Sequence, residues 1–120
     1  MRIGDLATRT DVSVRALRYY EEQGLLASTR SDSGQRLYEN AAVHRVRLIQ
    51  QLYGAGLSSK TIADLLPCVD AKVSTPESQA RLVAERDRVD QQIAELIMAR
   101  DRLNDIIDAT SQPNPQCDYT

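Results

Sequence analysis

The segment from Thr75 to Ala109 constrains the fold of this chain more than any other feature of the sequence. Thr75-Pro76-Glu77 is a strong helix start, because threonine can cap a helix, proline is tolerated in the first turn and an early carboxylate favours the helix dipole. Neither glycine nor proline then occurs up to Ala109. We therefore predict one helix over residues 76–110. At about 1.5 Å per residue it is about 50 Å long, too long to pack fully on a small domain.

Apolar side chains recur along one face of this predicted helix and form a seam. They lie seven residues apart, with two more on an accompanying position: Leu82, Val89, Leu96 and Leu103, and then Ile93 and Ile107. Arg86 and Arg100 occupy the same accompanying position, so the seam is half polar. Since burial of each Leu, Ile or Val is worth about 1.5–3 kcal/mol, the seam needs a partner. The alternative is an intramolecular hairpin, but the segment contains no turn signal, and we expect a dimer.

The charge of the chain is divided unevenly between its two halves. The 120 residues carry a formal net charge of −2. Residues 1–60 hold nine Lys and Arg against six Asp and Glu, whereas residues 61–120 hold six against eleven. A basic N-terminal half is typical of a DNA-binding head with a body that stays off the DNA, although a solvated surface gives the same asymmetry. A chain of this length allows one compact domain plus an appendage.

The first twenty residues predict a helix-turn-helix. A short apolar helix around Leu6 leads into a turn at 10–12, and Ser13 then caps a second helix. At about 100° per residue, the buried side of this second helix carries Val14 and Leu17. The opposite side carries Arg15, Ala16 and Tyr19, with Arg18 on the flank. A small residue between arginines and a tyrosine suits close approach to a charged groove, as for a recognition helix in the DNA major groove.

The following residues predict a hairpin and two more helices. Gly24 ends the second helix, and two short strands, 27–30 and 35–38, surround a turn at 31–34. We expect Asn40 to cap a third helix and Ser58 to cap a fourth, which Pro67 closes. His44 lies opposite the apolar stripe of the third helix, and we interpret it as a surface residue.

The run VSVRALRYYEEQGLL, followed by SGQRLY, closely resembles the DNA-binding domain of the MerR family of bacterial transcription regulators. The resemblance extends over roughly residues 1–110. One departure is Ala16, where the family usually has Thr, so a hydroxyl contact to the DNA backbone is lost. The resemblance implies a mainly α fold, with a winged helix-turn-helix head at 1–67, a linker at 68–75, an antiparallel coiled-coil dimerisation helix at 76–110 and a flexible tail or short effector loop at 111–120.

By the same resemblance, a homodimer binds an inverted-repeat promoter and distorts an overlong promoter spacer to control RNA polymerase. The hairpin is then the first wing, with Arg36 and Tyr38 against the DNA backbone, and Lys60 lies in the second wing. Without the family, a solvated hairpin with a partly buried tyrosine is the simpler interpretation. Tyr20 lies nearer the buried side and is structural in an alternative interpretation. The DNA-binding candidates are Ser13, Arg15, Ala16, Arg18, Tyr19, Tyr20, Arg36, Tyr38 and Lys60.

Two other functions are compatible with such a head. A DNA-architecture factor similar to an excisionase shares the winged head but generally lacks the long helix, and a dimeric adaptor would have lost DNA binding. An enzyme is not expected, because the chain has one histidine and neither a P-loop nor a nucleophile elbow. Since no apolar run is long enough to span a bilayer, we expect a cytoplasmic protein.

The effector is not identified by the sequence, and no cofactor is required by it. Copper-type members of the family place two cysteines after the long helix; here Thr110 stands at the first position and only Cys117 follows. A two-cysteine metal loop within one chain is therefore not expected. If two long helices pair antiparallel, Cys68 of one chain approaches Cys117 of its partner, and this pair is a candidate for a thiophilic metal, a disulfide or an electrophile. The simpler interpretation is that both thiols are inert.

Overall fold

The computed structural model describes residues 1–111, which form five helices and one two-stranded sheet. In chain order the elements are α1 (Ile3–Thr10), α2 (Val14–Glu22), β1 (Thr29–Arg30), β2 (Arg36–Leu37), α3 (Ala41–Gly54), α4 (Ser59–Ala71) and α5 (Pro76–Ala109). The chain divides into two compact units, Met1–Ser78, called the head here, and a second unit from Gln79 onward. The predicted mainly α class and the long C-terminal helix are confirmed.

Side-chain caps fix several helix starts at the predicted residues. The Ser13 hydroxyl accepts a hydrogen bond from the Ala16 amide at 3.1 Å, and Ser58 accepts from the Thr61 amide at 3.2 Å. The Thr75 hydroxyl accepts from the Ser78 amide at 3.1 Å, one residue before α5 begins. Each of these bonds satisfies an amide that has no partner inside its helix, which is why the three helices begin where they do.

One predicted helix cap and one predicted helix boundary are wrong. Asn40 stands at the N-cap position of α3, as predicted, but its backbone is helical and its side chain makes no capping hydrogen bond. Pro67 does not close the fourth helix: it lies inside α4, which continues to Ala71 and ends at Lys72 in the left-handed conformation. A proline inside a helix costs one hydrogen bond and a backbone clash. Burial of Leu65 and Leu66 against the core outweighs that cost, because tertiary packing supplies most of a helix's stability.

The hairpin is shorter than predicted and has a different register. Only two residues of each strand pair, Thr29 with Leu37 and Arg30 with Arg36. A four-residue turn at 31–34 would instead have paired Arg30 with residue 35. The turn takes five residues, 31–35; within it the Ser31 amide donates to the Gln35 carbonyl at 2.8 Å, and Gly34 adopts a positive φ of 83°.

The core of the head lies between its four helices. The fully buried side chains are Leu6 of α1, Leu17 of α2, Val46 and Ile49 of α3, and Ile62 of α4. Tyr20 stacks on Tyr53 of α3, with ring centroids 5.7 Å apart. Because Leu17 and Tyr20 are buried in this core, α2 is fixed to the head through its inner face.

The second unit begins inside α5, at Gln79, and holds the rest of that helix in the part of the chain that the structure describes. In the single chain α5 has no buried residue. None of the described helices is long and apolar enough to cross a membrane.

Candidate nucleic-acid interface

The outer face of α2 carries the polar side chains that the sequence predicted there. Arg15 and Arg18 are exposed, and Tyr19 retains 45% of its accessible surface. Ala16 is half-buried, and the Ser13 hydroxyl is used as the helix cap. Since α2 buries Leu17 and Tyr20 on its inner side, the arginines and Tyr19 remain available to a ligand.

Between α2, the start of α1 and the hairpin lies a cleft of about 560 Å³ with a basic lining. We call it the basic cleft. Its lining residues are Arg2, Ile3, Arg18, Glu22, Arg30, Gly34, Gln35 and Arg36. Four guanidinium groups against one carboxylate make this cleft positive. Guanidinium groups match the geometry of phosphate oxygens, so the cleft suits a nucleic-acid backbone.

Two of these arginines, Arg18 and Arg36, were predicted from the sequence, and two, Arg2 and Arg30, were missed. Arg30 enters the cleft because it pairs with Arg36 across the hairpin, and its Nη1 donates to the Gly34 carbonyl at 2.9 Å. The hairpin register was the signal that could have found Arg30. Nothing in the sequence around Arg2 marks it as a cleft residue.

Arg36 is held on one side of the cleft by an ion pair. Its Nη1 lies 2.9 Å from Oε2 of Glu21, whose side chain is only 18% exposed, while the Arg36 side chain remains 38% exposed. The other carboxylate oxygen of Glu21 accepts a hydrogen bond from the Ser28 hydroxyl. Arg36 is thus tied to the recognition helix and still reaches solvent.

Two tyrosines predicted as DNA contacts lie in the core instead. Tyr38 is 3% exposed with its hydroxyl buried, and Tyr20 is 9% exposed. Burial raises the pKa of Tyr38, and the Glu21 carboxylate raises it further, whereas Arg36 and Arg18 act in the opposite direction. Neither ring reaches the surface as a direct contact requires, so both act as supports. For Tyr20 this is the structural alternative that the sequence left open.

On its other flank α2 is linked to the start of α4. The Tyr19 hydroxyl lies 3.3 Å from the Ser59 hydroxyl, which also hydrogen-bonds the hydroxyl of Tyr53. Ser59 is the first residue of α4 and precedes Lys60, which is exposed. Sequence reasoning found Lys60 but missed Ser59, because its role depends on two tyrosines distant in the chain.

The predicted seam of α5 is exposed in the single chain. Seven large apolar side chains retain at least 43% of their surface: Ile93, Leu96, Ile97, Met98, Leu103, Ile106 and Ile107. Leu82 and Val89, also predicted for the seam, are half-buried. Several large exposed apolar side chains on one helix mark a site of association.

The two candidate thiols are placed only in part. Cys68 is half-buried on α4, and Cys117 lies outside the described residues. Within residues 1–111, His, Cys, Asp and Glu side chains form no group of three able to hold a metal ion. His44 is exposed on α3, as predicted.

Comparison with known proteins identifies the family. Residues 1–67 match the family described as MerR HTH family regulatory protein, and residues 43–106 match the family described as MerR, DNA binding. The chain belongs to the MerR family. The resemblance inferred from the run at 12–26 and the hairpin is therefore confirmed.

Individual relatives agree with this assignment. The chain is 34% identical over 122 residues to the HTH-type transcriptional regulator ZntR of Escherichia coli strain K12, a match that covers 97% of this chain and 86% of ZntR. It is 37% identical over 106 residues to the nodulation protein NolA of Bradyrhizobium elkanii, which covers 88% of this chain. The chain spans only 46% of the length of that NolA protein.

A solved structure shares the fold. HiNmlR, described as a MerR family regulator lacking the sensor domain and bound to promoter DNA, superposes with a TM-score of 0.76 at 25% identity. The match covers 89% of this chain and 86% of HiNmlR. The winged helix-turn-helix fold of this chain is thus one that a DNA-bound relative also adopts.

Proposed function

We propose that this protein is a transcriptional regulator that binds promoter DNA as a homodimer. The observation that carries the proposal is the basic cleft, which brings Arg18 of α2 and Arg36 of β2 together beside the exposed face of the recognition helix. Membership of the MerR family and the DNA-bound HiNmlR support it. Its action is then binding rather than catalysis, in the cytoplasm, where bacterial promoter DNA is found.

The proposed docking assigns different parts of the DNA to different residues. Arg15 and the half-buried Ala16 enter the major groove, where an arginine can read a guanine edge bidentately. The arginines of the basic cleft bind phosphates on one flank, and Lys60 with the first amides of α4 binds them on the other. Tyr19 lies between these two groups through its contact with Ser59.

The homodimer is proposed to form through α5. The exposed apolar side chains between residues 93 and 107 cost free energy in water, and pairing two copies antiparallel removes them from it. Each dimer then presents two recognition helices to an inverted repeat. The DNA-binding part proposed at 1–67 and the dimerisation helix proposed at 76–110 act as separate functional parts. Residues 68–75 join them, and the first four of these residues continue α4.

Regulation is proposed to work by distortion of the promoter. A bend of the size such dimers impose costs about 1–6 kcal/mol, which many phosphate contacts on both flanks can offset. The distortion then brings the two promoter elements that flank an overlong spacer into line for RNA polymerase. The proposed site of the effector is the pair formed by Cys68 of one chain and Cys117 of its partner, with two inert thiols and an unidentified effector as the alternative.

Selection of duplexes from a random pool, followed by fluorescence anisotropy with the selected duplex, tests the proposal. We expect an inverted repeat bound by two copies, with an affinity that falls steeply as salt rises. A selected site without two-fold symmetry would favour the excisionase-like alternative. Absence of any salt-dependent DNA binding would favour the adaptor and contradict the proposed function.

A further inference from the structure

Glu21 is one of two acidic residues at the end of a helix whose outer face carries Arg15 and Arg18. A carboxylate near DNA phosphates is repelled by them, so by charge alone it opposes binding. Yet its side chain is only 18% exposed and both of its oxygens are engaged, Oε1 by the Ser28 hydroxyl and Oε2 by the Arg36 guanidinium. The Glu21 carboxylate therefore makes contacts within the head that are independent of its repulsion from DNA.

This carboxylate and its two partners come from three separate segments. Glu21 belongs to α2, Ser28 precedes β1, and Arg36 lies on β2. The hairpin itself has only two paired residues in each strand, and a two-stranded hairpin of that size is marginally stable alone. The direction in which Arg36 points therefore depends on what holds it from outside the hairpin.

The environment of the ion pair strengthens it. The Glu21 side chain is 18% exposed and the Arg36 side chain is 38% exposed, so both charged groups are partly buried. Partial burial reduces solvent screening of the Glu21–Arg36 attraction relative to a fully exposed pair. Arg36 has five N–H donors, and one contact at Nη1 leaves others for a second acceptor.

We propose that Glu21 is a positioning residue for DNA binding: its carboxylate, braced by Ser28, holds the Arg36 guanidinium at the basic cleft in the orientation that contacts a phosphate. The inference rests on the proposed function. Glu21 thereby raises the affinity for DNA, although its negative charge alone would lower that affinity.

Glu22 provides a matched control for the effect of negative charge alone on DNA affinity. It is the next residue of α2, it is exposed and it lines the same cleft. Glu21→Gln and Glu22→Gln remove the same charge from neighbouring positions, but only the first loses an ion pair to Arg36. If charge alone decides, both variants bind DNA more tightly than the parent.

The experiment measures anisotropy of the selected duplex over a range of salt concentrations. We expect Glu21→Gln to bind about tenfold more weakly, as for one lost phosphate contact, with a salt slope smaller by about 0.9, the contribution of that phosphate. Glu22→Gln should bind more tightly than the parent, because it removes a carboxylate from the lining of the basic cleft. In an Arg36→Gln background, Glu21→Gln should have no further effect, because Glu21 acts through Arg36.

Ser28→Ala guards against a folding defect, since it removes the brace without changing any charge, and it should weaken binding in the same direction with normal thermal unfolding. A Glu21→Gln variant that binds the duplex as tightly as the Glu22→Gln variant overturns the inference. So does a loss that persists in the Arg36→Gln background. A parent protein that shows no salt-dependent binding overturns the proposed function itself, which is a distinct result.

Discussion

Replacement of Leu96 by aspartate should separate the proposed dimer into monomers. Leu96 lies near the middle of α5, so it falls inside the paired region whichever way two such helices run. It is 69% exposed in the single chain. The substitution removes an apolar group and introduces a charge that pairing would have to desolvate.

The size of the effect follows from that exposure. Complete burial of a leucine is worth about 1.5–3 kcal/mol, so burying about two-thirds of its surface is worth about 1–2 kcal/mol. Two copies of the residue enter one dimer, which gives about 2–4 kcal/mol. At about 1.4 kcal/mol per factor of ten, the dissociation constant of the dimer should rise about 30- to 700-fold, before the cost of the charge is added.

Sedimentation velocity in the low-micromolar range measures the change. Ala94→Asp is the matched control, because it places the same charge two residues earlier, about 200° around the helix and off the seam. It should remain dimeric. A parent protein that sediments as a monomer, or a Leu96→Asp variant as dimeric as Ala94→Asp, would refute the assignment of the seam. DNA affinity should fall with the loss of the dimer, because one head binds without its partner's contribution.

Further outcomes are expected at the head and at the thiols. Arg15→Ala or Arg18→Ala should weaken binding of the selected duplex by about 1–3 kcal/mol if the lost contact is to a base, with unchanged circular dichroism. Arg102→Ala, which removes an exposed arginine of α5, should bind like the parent. Burial raises the pKa of Tyr20 above its usual 10.0, and Tyr53 adds to the shift, so its contribution to stability is complete below pH 10 and is lost as pH rises through the higher folded-state pKa. Tyr20→Phe should therefore show a smaller loss of stability in urea unfolding between pH 9 and 12, and equal losses would contradict this. Oxidation should give a disulfide-linked dimer in non-reducing electrophoresis that Cys68→Ser or Cys117→Ser abolishes; a band that survives either change counts against the paired thiols.

The elements that the sequence predicted well are those governed by local rules. Ser13, Ser58 and Thr75 cap the helices expected of them, because a cap needs only a side chain and an amide three residues away. The faces of α2 followed from helical phase, with Leu17 buried and Arg18 exposed. The family motif then identified the fold.

The predictions that failed depended on contacts between distant residues. Pro67 was expected to end α4, but packing of the apolar residues before it carries the helix onward to Ala71. Tyr38 was expected at the DNA, but it is buried, with 3% of its surface exposed. Whether a tyrosine in a short strand points outward or inward depends on register and on what lies beneath, and neither can be read from alternation over two paired residues.

Two of the four arginines of the basic cleft could be predicted from the sequence and two could not, because different contacts place them. Arg18 is placed by helical phase, a local rule, and Arg36 was recognised through the motif. Arg30 is placed by hairpin register, which a single extra residue in the turn decides. Arg2 is placed by its neighbour: the Met1 ammonium donates to the Tyr38 carbonyl at 2.8 Å, and the Tyr38 amide donates to the Met1 carbonyl at 2.7 Å. The chain start is thereby fastened to the residue that follows the second strand, two positions after Arg36. The backbone of buried Tyr38 thus connects the segment that carries Arg2 to the hairpin. Tyr38 therefore contributes to the positive cleft by placing Arg2, without itself contacting DNA.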